Sequence, residues 1–454
     1  MDRICTARLA LSALTVYRGL WRDGVFAAYA RLLEAVRGAS ARAFFDAYGE
    51  FYAALGALPD AFAPEASGGE DGAPSFPEHV EALLRGDDNP FSRAAAANRA
   101  AGALSGAAEN DFALLSRALL PAETIKAAAC EAFCEQDAEL RGLLLGLPEW
   151  EHVPLRLDAE SAARFYAEHG CGIFARYGAL RWRGGALHGV DAPDPVRFRD
   201  LKGYEYERGA VADNTLRFLE GSAANNILLY GDRGTGKSST VKAVANEYRA
   251  RGLRIIEVPK KAIAEFPALV RQLEDVPLHF ILFIDDLSFE RDDDSYAALK
   301  GVLEGGLAAR PRNVVIYATS NRRHFVRERF SEREGDDVHA ADAVQETLSL
   351  ADRFGITVTF SAPDQAHYLA IVRGLMADRC GGGAGSEIQA GSARTSDASA
   401  GDAPQAERGE IPWDELERGA LQWALLYNGR SPRTARQYVD WAQARLRAGL
   451  PLTP

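Results

Sequence analysis

The sequence predicts an α/β fold: a five-stranded parallel sheet covered by helices on both faces, with mainly helical segments before and after it. Two observations predict this fold. From Phe198 to Pro363, short apolar runs alternate with helical stretches, which is typical of parallel strands joined by crossover helices. The flanking segments instead place apolar residues three and four positions apart, which is the period of a helix.

The five predicted strands are short and largely apolar. Strands of a sheet that is covered on both faces show little alternation between polar and apolar residues. The predicted strands are Ile227–Tyr230, Arg254–Val258, Phe280–Ile284, Val314–Ala318 and Ile356–Phe360.

We expect four segments along the chain. Residues 1–165 form a helical accessory region, and residues 166–197 form a β-hairpin and a proline-marked linker. Residues 198–363 form the αβα core, and residues 364–454 form a C-terminal helical region. Within that region, residues 381–410 are rich in glycine and poor in large apolar side chains. They cannot bury enough surface to order themselves, so we expect a flexible insertion there.

The predicted hairpin begins with two β-prone runs, Ile173–Tyr177 and Ala179–Trp182. A glycine pair, Gly184-Gly185, follows before Ala186-Leu187 and supplies the turn.

Length, charge and apolar content indicate which classes of protein the chain can belong to. The chain has 454 residues, a formal net charge of −12 and 47% apolar residues, as expected for a folded protein of two or three domains. The acidic balance disfavours a general nucleic-acid binder, although it leaves room for a local basic groove. No apolar run reaches the roughly 18 residues that span a bilayer, and the apolar run Leu9–Tyr17 reads as the start of an amphipathic helix rather than a signal segment.

Cysteine usage indicates a reducing compartment. Five cysteines in a long chain do not suggest a disulfide framework, so we expect a cytoplasmic protein. Cys130 and Cys134 lie four residues apart on a predicted helix. They are either half of a metal site or, as we favour, two core residues, because no second ligand pair lies nearby.

The strongest motif is a glycine-rich loop between the first predicted strand and a predicted helix. It fits the pattern G-x-x-x-x-G-K-[ST], in which glycines allow backbone N–H groups to surround phosphates at a helix N-terminus. The lysine is expected to reach the β- and γ-phosphates, and the last serine offers a hydroxyl to magnesium. The loop therefore predicts ATP and Mg²⁺ as cofactors. Its residues are Gly231, Asp232, Arg233, Gly234, Thr235, Gly236, Lys237 and Ser238.

Two carboxylates follow the third predicted strand, Asp285 and Asp286. Ligands gather at the carboxyl ends of strands in open α/β sheets. We expect Asp285, with Ser238, to hold magnesium, and Asp286 to orient or deprotonate the attacking water. The pair lies 48 residues after Lys237, and this spacing favours the functional interpretation over a solvated strand end.

Three further residues are candidates for catalysis. Asn321 ends the fourth strand and either contacts the γ-phosphate or the water, or serves only in a turn. Arg353 precedes the fifth strand and either stabilises transition-state charge on a neighbouring subunit's nucleotide or pairs locally with Asp352. Arg433 lies between Arg430 and Arg436 at helical spacing and either clamps phosphate or is solvated.

These motifs together resemble the AAA+ ATPases. More narrowly, four stretches resemble the bacterial ATPases of domain-of-unknown-function family 815, and the resemblance runs from about Phe198 to the C-terminus without the insertion. The four stretches are 224–239, which ends at Ser239, 285–289, 317–324 and 352–355.

The resemblance implies a P-loop NTPase αβα sandwich with a C-terminal helical lid, ATP and Mg²⁺ as cofactors, and self-assembly into a ring or filament. It implies the Walker A role for Lys237, with Ser239 in the phosphate-binding loop, and the Walker B role for Asp285 and Asp286. It also implies the sensor 1 role for Asn321, the arginine finger for Arg353 and sensor 2 for Arg433. One position departs from the general AAA+ pattern, because Asp286 stands where a Glu is usual. AAA+ helicase loaders and replication initiators resemble this Asp-Asp form.

Three functions are consistent with these residues. The first is an ATPase that hydrolyses ATP between the subunits of a homo-oligomer to remodel or regulate an unknown protein or nucleic-acid partner. The second is a slow ATP-dependent assembly switch or loader associated with nucleic acid, which a basic cluster between Arg322 and Arg329 would favour unless it is a solvated helix face. The third is a scaffold whose N-terminal helices bind a partner protein under the control of ATP.

Overall fold

The chain divides into two compact units in a computed structural model. The first unit comprises Met1–Ala192, Gly252–Arg254 and Ala268–Phe280, and the second comprises Pro193–Arg251, Ile255–Pro267 and Ile281–Pro454. The structure describes residues 3–38, 40–58, 75–100, 102–134, 137–150, 152–287, 294–304, 311–321, 353–380, 411–427 and 429–454.

The first unit is mainly helical, as the periodicity of the N-terminal segment predicts. Asp23, Ser40 and Asp158 each accept a hydrogen bond from a backbone N–H of the helix that follows, which satisfies a donor that the helix cannot pair itself. The helices are α1 (Arg3–Ser12), α2 (Gly24–Ala35), α3 (Ala41–Gly56), α4 (Phe76–Arg85), α5 (Pro90–Ala96), α6 (Ala103–Ala118), α7 (Ala122–Phe133), α8 (Ala138–Leu145), α9 (Ala159–His169) and α10 (Ile173–Arg176).

Aromatic side chains form the centre of this helical unit. The ring centroids of Tyr29 and Phe76 lie 4.5 Å apart, and those of Phe51 and Trp150 lie 4.9 Å apart. Such pairs add to the stabilisation that burial of their large apolar surfaces provides. Cys130 and Cys134 at the end of α7 are both buried, and the described residues contain no cluster of three or more side chains suited to a metal.

A short β-hairpin follows α10, although it begins later than the sequence predicts. Its strands are β1 (Ala179–Arg183) and β2 (Ala186–Gly189), paired antiparallel, and both turn glycines have positive φ, at 60° and 76°. The run Ile173–Tyr177 is not part of it, because Ile173–Arg176 forms α10. The Arg176 side chain donates two hydrogen bonds to the carbonyl of Gly86, which stabilises this helical turn against the local β-propensity.

The core sheet contains the strands β3 (Ile227–Gly231), β4 (Leu253–Glu257), β5 (His279–Ile284), β6 (Val314–Asn321) and β7 (Ile356–Phe360). They lie in the order β4-β5-β6-β3-β7. Strand β3 pairs in parallel with both β6 and β7, and Ile227 lies beside Tyr317 and Ile356. This arrangement agrees with the predicted α/β P-loop fold.

Polar groups hold the first helix of the core against the sheet. Thr215 Oγ1 lies 2.8 Å from the Tyr317 hydroxyl on β6, and Asn214 donates to the same hydroxyl and to the carbonyl of Asn225. All of these groups are satisfied where water is excluded, as burial of polar atoms requires. The remaining helices are α11 (Glu205–Leu219), α12 (Lys237–Glu247), α13 (Phe266–Leu273), α14 (Asp294–Glu304), α15 (Gln365–Cys380), α16 (Trp413–Leu426) and α17 (Pro432–Arg447).

The last three helices pack on one another as a small bundle, which we call the lid. Tyr438 on α17 is buried, and its hydroxyl lies within hydrogen-bond distance of the carbonyls of Leu416 and Leu452. Tyr368 on α15 is also buried, and its hydroxyl donates to the carbonyl of Ala420. The sequence prediction of a helical C-terminal region is therefore confirmed for the described residues.

Several predictions concern residues outside the described ranges. These are the flexible insertion at 381–410, the basic cluster between Arg322 and Arg329, and Asp352 beside Arg353. Among the helices that are described, none has the length and apolar composition needed to cross a membrane.

Candidate functional site

The glycine-rich loop lies between β3 and α12, in the context that the sequence predicts. Its three glycines have positive φ, at 141° for Gly231, 76° for Gly234 and 97° for Gly236, a region that other residues adopt at a cost. A Cβ at Gly231 would meet the carbonyl oxygen of Phe360 at 2.0 Å, so the close approach of β7 also excludes a side chain here. Gly236 is the N-cap of α12, whose N-terminus favours anions.

Lys237 begins α12 and folds back over the loop. Its Nζ donates to the carbonyl of Gly231 at 3.0 Å and to that of Asp232 at 2.6 Å. Burial lowers the pKa of this lysine from 10.5 to about 8, an effect that the nearby carboxylates of Asp232, Asp286 and Asp285 oppose. An ammonium with three donors can keep both carbonyl contacts and offer its third N–H to an anion.

Ser238 and Asp285, the two predicted metal ligands, lie side by side. The Ser238 hydroxyl donates to Asp285 Oδ1 at 2.6 Å. A hydroxyl and a carboxylate oxygen are hard oxygen ligands, and Mg²⁺ is usually held by one or two carboxylates together with phosphates and waters. The donor set therefore fits magnesium.

Asp286 and Asn321 are also brought together. The Asn321 side-chain amide donates to Asp286 Oδ1. Asp286 has a φ of +53°, which is uncommon outside glycine, and it lines the same cleft as Asp285. The sequence identifies both residues but contains no signal for this backbone conformation.

The site is an open cleft of about 600 Å³ in the second unit. Arg433, from the first turn of α17, lines the cleft, and its backbone N–H donates to the carbonyl of Gly234 at 3.2 Å. Arg430 precedes α17 and does not line the cleft. The lining residues are Leu201, Arg233, Gly234, Gly236, Lys237, Ser238, Ser239, Asp285, Asp286, Thr319, Asn321, Pro432, Arg433 and Arg436.

Sequence reasoning missed the segment before α11, which lines a smaller pocket beside this cleft. Leu201 and Tyr204 contribute to it with Phe360 at the end of β7 and Ile371 on the lid. The segment has neither a motif nor an apolar period, and Tyr204 adopts a left-handed conformation with a φ of 61°. Thr319 was also missed as a site residue, although it belongs to the polar run at the end of β6.

Arg353 lies away from the cleft of its own chain. The register pairs Ile227 with Ile356 where β3 and β7 begin, and Gly231 with Phe360 where both strands end. The glycine-rich loop lies at the ends of these strands, whereas Arg353 precedes their beginnings. A strand length of about 16 Å therefore separates Arg353 from the loop. The structure therefore does not bring Arg353 to the residues that line the cleft.

The fold and the glycine-rich loop between β3 and α12 resemble those of P-loop proteins of the AAA+ type. A family model described as "Protein of unknown function (DUF815)" matches residues 175–446, which is more than half of the chain. The chain belongs to this family, and the resemblance inferred from the sequence motifs is confirmed.

Curated relatives match a shorter part of the chain. A 26S proteasome regulatory subunit 6B homolog of Schizosaccharomyces pombe is 31% identical over 113 residues, which are 21% of this chain and 28% of that protein. A proteasome-activating nucleotidase of Archaeoglobus fulgidus is 46% identical over 66 residues, which are 13% of this chain and 17% of that protein. The chain thus spans less than a third of the length of these relatives.

Solved structures of Thermotoga maritima RuvB, a Holliday junction branch migration motor, also match. One of them is 15% identical with a TM-score of 0.32, and the match covers 56% of this chain and 66% of that chain.

Proposed function

We propose that this AAA+ family protein binds ATP with Mg²⁺ and hydrolyses it to ADP and phosphate. One observation carries the proposal: a buried lysine, a Ser–Asp pair and an Asp–Asn pair line the same cleft beside a glycine-rich loop at a helix N-terminus. This combination provides a cation for phosphates, oxygen ligands for a metal and a carboxylate for water. The small apolar pocket at Leu201 and Tyr204 would take the base.

Binding follows from the chain's own groups. The loop's N–H groups and the α12 N-terminus favour a polyphosphate, and the Lys237 ammonium adds a full charge. Ser238 and Asp285 would hold magnesium, which supplies charge neutralisation on the phosphates when it is bound. Arg433 extends from the lid into the same cleft and would contact the outermost phosphate.

Hydrolysis needs a group that orients and deprotonates water. Asp286 is exposed to the cleft, and the Asn321 amide donates to one of its carboxylate oxygens, which fixes the direction of the carboxylate. A carboxylate held in this way would accept the proton of an attacking water. We therefore assign Asp286 as the general base and Asn321 as the residue that orients the base and the water.

Arg353 is the residue through which one subunit would act on the nucleotide of its neighbour. Because it lies at the edge of the sheet opposite its own glycine-rich loop, it would act on a nucleotide bound by a neighbouring copy. This supports a homo-oligomer, a ring or filament, in which hydrolysis occurs between subunits and remodels or regulates a macromolecular partner. A cytoplasmic location accords with five cysteines that are all free.

A second candidate is a slow ATP-dependent switch that is associated with nucleic acid. Asp286 favours it, because its carboxylate is one methylene shorter than that of the usual glutamate and is set on a left-handed backbone. Steady-state turnover measured with and without DNA separates the two candidates. If the protein binds ATP but hydrolyses it more slowly than its subunits exchange, the result would favour the ATP-dependent switch.

Calorimetric titration with ATP and Mg²⁺ tests the proposal directly. Lys237→Ala should abolish binding or weaken it at least tenfold, because it removes a buried cation bonded to the loop. Lys242→Ala is a matched control: Lys242 lies on the same helix, is 42% exposed and pairs with Asp194 outside the cleft. Wild-type affinity in Lys237→Ala would refute the assignment of the cleft.

A further inference from the structure

Thr319 connects the two carboxylates that follow β5. It lies near the end of β6 and is 2% exposed. Its hydroxyl donates to Asp285 Oδ1 at 2.6 Å and accepts the backbone N–H of Asp286 at 2.9 Å. The same hydroxyl therefore donates a hydrogen bond to the Asp285 carboxylate and accepts one from the Asp286 backbone.

The turn that carries these carboxylates is held from β6 at several points. The N–H of Leu287 donates to the carbonyl of Thr319 at 2.7 Å, and the Ser320 hydroxyl donates to the carbonyl of Leu287 at 2.7 Å. Within this turn Asp286 has a φ of +53°. A non-glycine residue persists in that conformation when its surroundings determine it. Thr319 supplies the hydrogen bond to the Asp286 backbone itself.

Asp285 is held from two sides. Its Oδ1 accepts the Ser238 hydroxyl from α12 and the Thr319 hydroxyl from β6, both at 2.6 Å. With both donors in place the carboxylate cannot rotate without losing a charge-assisted hydrogen bond. Thr319 therefore keeps Asp285 directed at Ser238, its expected partner in holding magnesium.

We propose that Thr319 is a positioning residue that sets the magnesium-binding geometry of Asp285 and the backbone conformation of Asp286 at the same time. The inference rests on the proposed function, because it concerns the same cleft. Its basis is separate, however, since it stands on the hydrogen bonds of the buried Thr319 hydroxyl with Asp285 and with the backbone of Asp286.

The test compares Thr319→Val, which keeps the shape and loses the hydroxyl, with Thr319→Ser, which keeps the hydroxyl. Groups that orient a metal ligand typically contribute roughly 10- to 100-fold to metal affinity or activity. In Thr319→Val we expect the Mg²⁺ concentration for half-maximal turnover to rise at least tenfold and kcat to fall at least tenfold. Affinity for a fluorescent ATP analogue in EDTA should stay within about twofold, and Thr319→Ser should stay near wild type.

Thr215→Val is the matched control, because Thr215 is also a buried threonine, and its hydroxyl contacts the Val211 carbonyl and the Tyr317 hydroxyl outside the cleft. Its Mg²⁺ requirement should not change. If Thr319→Val does not fold, as judged by its Tm, Thr319→Ala is measured in its place. A folded variant without the hydroxyl but with the wild-type Mg²⁺ requirement overturns this inference alone. A wild-type protein that binds no nucleotide overturns the proposed function and this inference together.

Discussion

Lys237 carries its charge where solvation is poor. Burial lowers its pKa to about 8, while the neighbouring carboxylates of Asp232, Asp286 and Asp285 favour the ammonium. Two backbone carbonyls accept hydrogen bonds from Nζ and so hold the charge in place before any ligand binds. A bound polyphosphate would stabilise the charged form further and raise this pKa.

The depressed pKa of Lys237 predicts a pH-dependent affinity. In the free protein the lysine loses its proton as pH rises through about 8. Phosphates bind the charged form, so affinity is complete below that pH. Above it, affinity should fall by up to about tenfold for each pH unit until the pKa of the complex is reached.

Calorimetric Kd values for ATP at pH 7, 8 and 9 check this expectation, and nucleotide binding at pH 8.5 should be accompanied by proton uptake. Lys237→Arg is the control, since its guanidinium stays charged over the whole range and its profile should be flat. A flat profile for the wild-type protein would contradict the depressed pKa.

Asp286 adopts a left-handed backbone conformation that favours some residue types over others. With a φ of +53°, the position favours residues whose short polar side chains bond locally, and aspartate is one of these. A glutamate, usual at this position in the AAA+ pattern, lacks that advantage. Aspartate is therefore compatible with the left-handed backbone at this position.

At the scale of elements, α17 joins the lid to the glycine-rich loop. The N–H of Arg433 donates to the carbonyl of Gly234 at 3.2 Å, and Ser431, the N-cap of α17, would contact a Cβ at Gly234. The loop is also tied to the segment after β7, because Asp232 Oδ2 accepts the N–H of Ala362 at 2.8 Å. Hydrogen bonds therefore link the glycine-rich loop to α17 of the lid and to the segment after β7.

Arg433→Ala and Arg430→Ala form a matched pair that tests the contribution of α17. Both arginines are exposed and lie three positions apart, but only Arg433 lines the cleft. Arg433→Ala should weaken ATP binding by about two- to fivefold with less effect on ADP, since a solvent-exposed ion pair contributes up to about 1 kcal/mol. Fluorescence titration with both nucleotides measures this difference. Equal affinities in the two variants would show that Arg433 is merely solvated.

Strands were the elements that the sequence predicted best. β7 has the predicted bounds, and β3 and β5 each extend one residue further, because buried parallel strands are short apolar runs with few alternatives. The sequence predicts the run Ile173–Tyr177 as part of the hairpin, but Ile173–Arg176 forms a helix, and Arg176 donates to the carbonyl of Gly86 far away in the sequence. Local propensity does not contain such a contact.

The site was predictable to the extent that motifs encode it. Lys237, Ser238 and Asp285 follow from spacing, and the structure brings them together. Thr319 and Tyr204 were not identified, because their roles depend on hydrogen bonds and on a left-handed backbone that no local pattern signals. A prediction that Arg353 lies far from the glycine-rich loop would also have needed the register of the strands, which the sequence does not show.

For the whole molecule, the position of Arg353 predicts that one subunit is not sufficient for turnover. The residue lies one strand length from its own glycine-rich loop, at the opposite edge of the sheet. An arginine that stabilises transition-state charge from a neighbouring subunit contributes about 10³-fold or more to turnover and little to ground-state affinity. Arg353→Ala should therefore bind ATP normally and hydrolyse it about a thousandfold more slowly.

Mixing of subunits distinguishes a neighbour's arginine from a structural one. Arg353→Ala keeps an intact cleft and Lys237→Ala keeps an intact arginine, so mixed assemblies contain interfaces in which both are present. Phosphate release from the mixture should exceed that of either variant alone. In the control, Arg353→Ala is mixed with the Lys237→Ala/Arg353→Ala double variant, and no interface regains the arginine. If the first mixture recovers nothing although light scattering shows co-assembly, Arg353 supports its own subunit's fold instead of its neighbour's chemistry.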